Sequence, residues 1–266
     1  MTKSPHLSRR EFLRRSAAAG VLAAGFGAPT ILRAADANWG DLVGRLVYEG
    51  KPPERKKLTV DKDLDCCGKF DIRDESLMAI EDGGLMNVYV YVRTKSVAIA
   101  PELIEKVAPQ VTLDNRDCIF KPHCMTIWID KQEFLTVNSD PVAQNVAFEP
   151  PGDTPCNAVL AVRGTATYKF TRKQLAPVPI KCNYHPWESG YILPRDNPYV
   201  ALTDESGVFR IAKLPPGELE FQVWHERIGN LDTQLWPKGR FKVTIKPGVN
   251  DLGTIKLAAK LFAENA

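Results

Sequence analysis

Short segments in which apolar residues alternate with polar or aromatic ones recur along most of the chain. In residues 87–92 the valines fall on one side and Asn and Tyr on the other, as in a strand with one face on a core. Only residues 101–107 predict a helix, with Pro101 in its first turn. Segments rich in Val, Ile, Thr and aromatic residues, separated by Pro, Gly, Asn and Asp, predict strands at 41–48, 87–93, 110–113, 125–130, 134–137, 165–170 and 178–184. Strands at short intervals without alternating helices predict an all-β sandwich.

The pattern changes near residue 197, after a segment that contains two prolines. Residues 199–211 predict two strands around a turn at Gly207, and Leu214-Pro215-Pro216-Gly217 leads into the next strand. The remaining strands are predicted at 218–225, 239–245 and 252–257, with a turn at 247–250. We therefore predict a first β domain over residues 38–196 and a smaller β domain over residues 197–266.

The first 37 residues have the pattern of a twin-arginine export signal. Ser8-Arg9-Arg10-Glu11-Phe12-Leu13 precedes a short apolar run at 17–26, and small residues stand at 35 and 37. The run is shorter than the roughly 20 residues that a bilayer requires, and no other segment is apolar enough to span one. We expect cleavage after residue 37 and a mature protein in the periplasm or at the cell surface; an uncleaved signal anchor is the alternative.

The net charge of the chain comes from this leader. It contains six of the 35 basic and two of the 32 acidic residues, so 29 basic and 30 acidic residues are left in the mature part. A nearly neutral protein gives no electrostatic reason to expect binding to nucleic acid or to an anionic membrane surface.

The clearest chemistry lies in the run Cys182-Asn183-Tyr184-His185-Pro186-Trp187-Glu188. A thiolate and an imidazole three residues apart can reach the same metal ion from one tight loop. Blue-copper sites combine one Cys sulfur and two His nitrogens with a weak axial ligand. This loop supplies one Cys and one His, so a second His would have to come from an earlier strand.

The order of several short segments resembles a bacterial family of exported cupredoxin-like proteins, often called methylamine-utilisation-like. The segments are 44–53, 87–91, 118–123, 138–141, 182–187, 203–207, 214–217 and 224–226. The resemblance implies an all-β fold with a cupredoxin-like Greek-key β-sandwich followed by a smaller prealbumin-like or carbohydrate-binding-like β-sandwich. It also implies copper as the cofactor and a redox or cell-envelope protein as the partner.

Carried over from the family motif, the copper-ligand positions fall on Gln144, Cys182, His185 and Glu188. Gln144 stands where the family has His, and Glu188 where it has Met. One imidazole fewer weakens copper binding, and a carboxylate favours Cu(II) or Zn(II) over Cu(I). Two interpretations stay open: an altered metal site, or a remnant in which Cys182 is a buried thiol or half of a disulfide.

All six cysteines lie in the mature part, where export makes disulfides the default expectation. Cys66 and Cys67 are adjacent and cannot easily bridge each other, so one of them should reach a distant partner. The resemblance implies a bridge from Cys118 to Cys66 or Cys67, and the positions of Cys124 and Cys156 suggest an added bridge between them. Six buried thiols without bridges remain the alternative.

Two other histidines invite functional interpretations that the sequence does not favour. His123 is followed by Cys124, but neighbours on a strand face opposite sides, so we do not expect them to share a metal ion. Trp224-His225-Glu226 lacks the spacing of a metalloprotease helix, which needs two His four residues apart.

The sequence also lacks a nucleophile elbow, a phosphate loop and a dinucleotide-binding fingerprint. We therefore expect a binding protein and not an enzyme. The first hypothesis is an exported cupredoxin-like protein with an altered copper site, acting in metal handling, electron transfer or partner recognition. The alternative is a non-metal module of the cell envelope that binds a carbohydrate or a protein.

Overall fold

Strands account for nearly all the regular structure of the protein, which a computed structural model describes over residues 38–263. In chain order they are β1 (Gly40–Glu49), β2 (Tyr89–Val92), β3 (Gln110–Arg116), β4 (Ile119–Lys121), β5 (Cys124–Trp128), β6 (Glu133–Asn138), β7 (Gln144–Phe148), β8 (Cys156–Leu160), β9 (Thr165–Tyr168), β10 (Val178–Lys181), β11 (Ser189–Arg195), β12 (Val200–Leu202), β13 (Val208–Leu214), β14 (Gly217–His225), β15 (Gly229–Asn230), β16 (Arg240–Ile245) and β17 (Gly248–Ala258). The predicted helix is present as α1 (Pro101–Glu105). The all-β prediction is confirmed, whereas the predicted export signal lies outside the described residues.

The first sandwich consists of two sheets built from β3 to β11. One sheet has the order β5-β11-β10-β7-β8 and the other the order β4-β3-β6-β9. Most neighbours are antiparallel, but β5 pairs with β11 and β3 with β6 in parallel. Apolar side chains from both sheets, including Leu113, Phe134, Ile127 and Ile180, form a buried cluster between them.

The second sandwich consists of the sheet β13-β1-β17 and the sheet β12-β2-β14-β15, to which β16 is added by pairing with β14. Along β1 every second residue is buried, as in a strand with one face on a core, and Leu42 and Leu46 lie in the cluster between the sheets. At the turn before β13, Gly207 adopts a φ of 78°, as the sequence predicts.

Both sheets of the second sandwich cross the predicted boundary at 196/197. β1 and β2 precede that boundary, yet β1 pairs with β13 and β17, and β2 pairs with β12 and β14. The division into domains 38–196 and 197–266 stays a prediction about folding units. The sheets show that the second sandwich needs strands from both segments.

Strand β2 is buried on both faces, although its alternating sequence predicts one exposed face. Val90 and Val92 pack in the core of the second sandwich. Tyr89 and Tyr91 pack on the opposite side in a cluster that includes Trp224. The aromatic face is covered because the two sandwiches meet there, which an isolated strand pattern cannot show.

Of the two predicted disulfides, one is confirmed and one is wrong. Cys67 is bonded to Cys118, with a Cα–Cα distance of 5.5 Å. Cys124 and Cys156 are both free thiols. They lie on β5 and β8, the two edge strands of one five-stranded sheet, and four strand spacings of about 4.8 Å separate them by roughly 19 Å. A disulfide requires a Cα–Cα distance below about 7 Å.

Among the described residues, no helix has the length and apolar character that crossing a bilayer would require.

Candidate metal centre

The loop that carries Cys182, His185 and Glu188 joins two paired strands, β10 and β11. Its backbone closes on itself, because the Cys182 amide donates to the Glu188 carbonyl (3.2 Å) and the Glu188 amide donates to the His185 carbonyl (2.9 Å). All three side chains are turned inward and are almost completely buried. A tight hairpin loop therefore holds a thiol, an imidazole and a carboxylate at one end of the first sandwich.

Gln144 reaches the same point from the start of β7, the strand beside β10. Its Oε1 lies 2.8 Å from His185 Nδ1 and 3.6 Å from Cys182 Sγ. The side-chain amide of Gln144 is held in this orientation because its Nε2 donates a hydrogen bond to Asp140 Oδ2 at 2.9 Å. The structure thus brings together all four predicted positions, which we call the loop cluster: Gln144, Cys182, His185 and Glu188.

The Glu188 carboxylate is the anomalous group in the loop cluster. Its side chain is fully buried, and within the described part of the chain neither oxygen accepts a hydrogen bond. The nearest cationic group is His185, with Nδ1 3.3 Å from Oε1. Burial raises the pKa of this carboxyl group, with only part of the effect offset by His185. A buried carboxylate without hydrogen bonds is costly, and the contact with His185 offsets only part of that cost.

His185 is held by a carboxylate on its other side. Its Nε2 lies 2.7 Å from Asp63 Oδ2, while Nδ1 faces the loop cluster. Burial alone lowers the pKa of His185, but its contacts with the Cys182 thiol and with the Glu188 and Asp63 carboxylates outweigh this effect and raise the pKa to about 10. Metal-binding histidines commonly have this arrangement, with one ring nitrogen on the metal and the other hydrogen-bonded to a carboxylate.

Sequence reasoning missed Asp63 and Asp140, the two residues that orient the loop cluster. Asp63 lies 122 positions before His185. The segment around it is tied to the first sandwich by the Cys67–Cys118 disulfide, and Trp187 beside His185 donates its Nε1 hydrogen to the Cys118 carbonyl. The predicted bridge from Cys118 was the one sequence signal that placed this segment near the loop.

The donor atoms of the loop cluster suit a borderline metal ion. A thiolate, one imidazole and two oxygen donors are ligand types used for Zn(II) and Cu(II), and the oxygen donors fit Cu(I) poorly. The unbonded Glu188 carboxylate and the Asp63 hydrogen bond to His185 are the two features that favour a metal site over a remnant. The second imidazole of a blue-copper site is not supplied, because Gln144 occupies that position.

A second group of donor atoms lies where the two sandwiches meet. An imidazole nitrogen of His123, Cys124 Sγ and a carboxylate oxygen of Glu226 all lie within 4.8 Å of one another. We call these three residues the junction cluster. The expectation that His123 and Cys124 face away from each other does not hold, because His123 precedes β5 and strand alternation does not apply to it.

No protein-family model matches the chain, and no curated protein matches it. Among solved structures, the chain is similar to mutant amicyanins, one of them in its Cu(I) form. That match has 13% identity and a TM-score of 0.28, and it covers 40% of this chain and 98% of the amicyanin. A copper-containing nitrite reductase from Thermus scotoductus SA-01 matches at 18% identity over 40% of this chain and 25% of its own, with a TM-score of 0.30.

A purple cupredoxin from Nitrosopumilus maritimus matches at 16% identity over 33% of this chain and all of its own, with a TM-score of 0.27. Scores of this size carry no argument about function.

Proposed function

We propose that the protein is an exported, cupredoxin-like metal-binding protein whose copper centre is altered, and that it acts in metal handling. The observation that carries the proposal is the buried, unbonded Glu188 carboxylate facing the Cys182 thiol and His185 Nδ1. A remnant site would be expected to replace such a carboxylate by an apolar residue or to give it a donor, because either change removes the cost of burial.

Four atoms would hold the ion: Cys182 Sγ, His185 Nδ1, a Glu188 carboxylate oxygen and Gln144 Oε1. With one imidazole and two oxygen donors, the bound ion would be Cu(II) or Zn(II), retained in that oxidation state. Such a site favours storage or delivery of the ion over rapid electron exchange. We propose binding, and not catalysis, as the activity.

The surrounding residues prepare the site before an ion arrives. Asp63 fixes the ring of His185 and holds the proton on Nε2, which leaves Nδ1 as the nitrogen that faces the ligands. Asp140 turns the Gln144 amide so that its oxygen points inward. Trp187 packs against the imidazole, with ring centroids 5.0 Å apart, and excludes water from one side.

Metal titration of the mature chain tests the proposal. We expect Cu(II) and Zn(II), measured by competition with a chromophoric chelator, to occupy one more site per chain in the unmodified protein than in Cys182→Ser. Cys156→Ser is the matched control, because Cys156 is a free thiol on the edge strand β8 and should leave the number of sites unchanged. Equal stoichiometry in the unmodified protein and Cys182→Ser would support the remnant interpretation instead.

Export is the second part of the proposal, and it is supported by the twin-arginine pattern at residues 8–13. A disulfide between Cys67 and Cys118 is compatible with an oxidising compartment. Mass spectrometry of protein from the periplasmic fraction should show a terminus near residue 38. Recovery of the intact Met1 terminus from that fraction would contradict cleavage.

A further inference from the structure

The junction cluster links segments that are remote in sequence. Cys124 is the first residue of β5 in the first sandwich and His123 directly precedes it, whereas Glu226 follows the end of β14 in the second. Gly190 of β11 permits the close approach of this corner, because a Cβ at that position would lie 2.7 Å from the His123 carbonyl oxygen. Three ligand-type side chains are thereby brought together by the contact of two sandwiches.

His123 is buried between two carboxylates but is satisfied on one side only. Its Nε2 lies 2.6 Å from Glu226 Oε2, and both side chains are more than nine-tenths buried. Its Nδ1 is buried and lacks a hydrogen-bond partner among the described residues. The nearest charged atom to Nδ1 is Glu75 Oε2 at 3.7 Å. A His–Glu ion pair accounts for Nε2, and the Cys124 thiol contacts the Tyr89 hydroxyl, which leaves Nδ1 as the buried atom without a hydrogen bond.

The charges of the junction cluster also point to a cation. Glu226 is buried, and Glu75 is half-buried with its other oxygen 3.7 Å from Arg55. His123 can neutralise only one of these two carboxylates. A divalent ion bound to a thiolate, a neutral imidazole and a carboxylate would leave these three ligands and the ion with no net charge.

We propose that His123, Cys124 and Glu226 bind one zinc-class divalent ion that fastens β5 of the first sandwich to the end of β14 in the second. Imidazole, thiolate and carboxylate are the three side-chain types that bind zinc. On binding, the Cys124 thiol and the His123 imidazolium each release a proton to solvent, and the ion gains one bond to S, one to N and one to O.

The geometry is close to that of a ligated site. Bonds of about 2.0 to 2.3 Å in a tetrahedral site place ligand atoms roughly 3.3 to 3.8 Å apart. The three donor atoms lie within 4.8 Å of one another, which is near this range without matching it.

The junction cluster shares no residue with the loop cluster, so this site goes beyond the proposed function. The test uses the mature chain carrying Cys182→Ser and His185→Gln, which removes the thiol and imidazole of the loop cluster. We expect this background to bind one Zn(II) in competition with a chromophoric chelator. Added zinc should raise its Tm, because an ion that binds only the folded state stabilises it.

Within that background, His123→Gln, Cys124→Ser and Glu226→Gln should each weaken zinc binding by more than about 100-fold, since even outer-shell partners are worth about 10- to 100-fold. Cys156→Ser is the matched control for the thiol and should leave the affinity unchanged. Co(II) should give a thiolate-to-metal absorption band in the background protein, and the band should be lost in Cys124→Ser.

The ligand variants can fail to fold, so the deciding measurement is made without them. Zinc K-edge X-ray absorption of the zinc-loaded background should show one sulfur at about 2.3 Å and otherwise nitrogen and oxygen. A first shell without sulfur would overturn the proposal. So would a background protein that binds no zinc, or one whose folded Glu226→Gln variant binds it equally well.

Discussion

The loop cluster and the junction cluster contain the same three ligand types, Cys, His and Glu, but assemble them in opposite ways. Seven consecutive residues supply the loop cluster, apart from Gln144, and a hairpin closes them together. The junction cluster draws on residues 103 positions apart. In the loop cluster the Glu188 carboxylate lacks a hydrogen bond, and His185 is held by Asp63. In the junction cluster it is the histidine, His123, that has a ring nitrogen without a hydrogen bond.

This difference indicates what each site depends on. The loop cluster needs only the first sandwich and the segment around Asp63, so it should survive changes in the second sandwich. The junction cluster exists only while the two sandwiches are docked. Metal binding at the loop cluster should therefore depend on local geometry, whereas metal binding at the junction cluster should depend on the docking of the two sandwiches.

The sharpest way to separate the clusters is to restore the missing imidazole in one of them. Gln144→His combined with Glu188→Met gives the loop cluster the ligand set of a blue-copper site, so Cu(II) should produce an intense blue thiolate-to-copper band. The unmodified protein should bind Cu(II) without that band. Visible absorption and electron paramagnetic resonance would measure the change.

Asn145→His is the matched control for this substitution. Asn145 follows Gln144 on β7 and its side chain lies on the opposite face, where it bonds to Asn157. No blue band is expected from it. An intense blue band in the unmodified protein would show that a second imidazole already reaches the loop cluster, contrary to the structure.

The disulfide should affect stability and the loop cluster but not the junction cluster. Cys118→Ser removes the Cys67–Cys118 bond and should lower the free energy of unfolding by about 2 to 4 kcal/mol. It also releases the segment that carries Asp63. Urea denaturation and zinc titration would show lower stability and weaker binding at the loop cluster only.

Cys67→Ser should cost less than Cys118→Ser, because Cys66 Sγ already lies 3.8 Å from Cys118 Sγ and can take over the bridge. The pair Cys66→Ser and Cys67→Ser together should reproduce the full loss. Equal stability of Cys67→Ser and Cys118→Ser would rule out this exchange of partners.

Substitution of Asp63 should have a smaller effect, confined to metal binding at the loop cluster. Asp63→Asn keeps the shape of the side chain but weakens its hydrogen bond to His185 Nε2, and should lower metal affinity at the loop cluster by about 10- to 100-fold. Asp65→Asn is the control on the same segment. Chelator competition would measure both, and zinc binding at the junction cluster should not change in either variant.

The smallest effect is expected for Cys156, which tests the correction to the predicted disulfides. Cys156→Ser should change the free energy of unfolding by less than about 1 kcal/mol, because Cys156 is only partly buried at the edge of the core cluster and the substitution changes one atom. Its thiol makes one weak contact, 3.9 Å from the Val146 carbonyl. A loss of stability comparable to that of Cys118→Ser would mean that Cys156 is bridged after all.

The sequence predicted the parts of the molecule that depend on neighbouring residues. The loop from Cys182 to Glu188 was found because its ligands are three residues apart, and the all-β class because most strands alternate. Four strands of the first sandwich were missed: β4, β7, β8 and β11. In β11 the pattern is interrupted by Pro194, and a proline normally argues against a strand within a sheet. In the structure Pro194 lies within β11, opposite Ile127 in the parallel pairing with β5.

The parts that were missed depend on contacts between remote segments. Asp63 and Glu226 reach their histidines across 122 and 103 positions, and neither has a local motif. The pairing of β1 with β17, which places the first described strand in the second sandwich, is equally invisible in a strand pattern. Spacing identifies side chains that share a loop, but not those that a tertiary contact brings together.

The position of β1 between β13 and β17 has a consequence for the time course of folding. Gly40 is paired with Gly248 along a parallel ladder, so the first described strand cannot be completed until the last one has left the ribosome. Contacts of such large sequence separation slow folding, because loop-closure entropy must be overcome before they form. Leu42 and Leu46 therefore cannot reach their packing in the second sandwich until β17 has emerged from the ribosome.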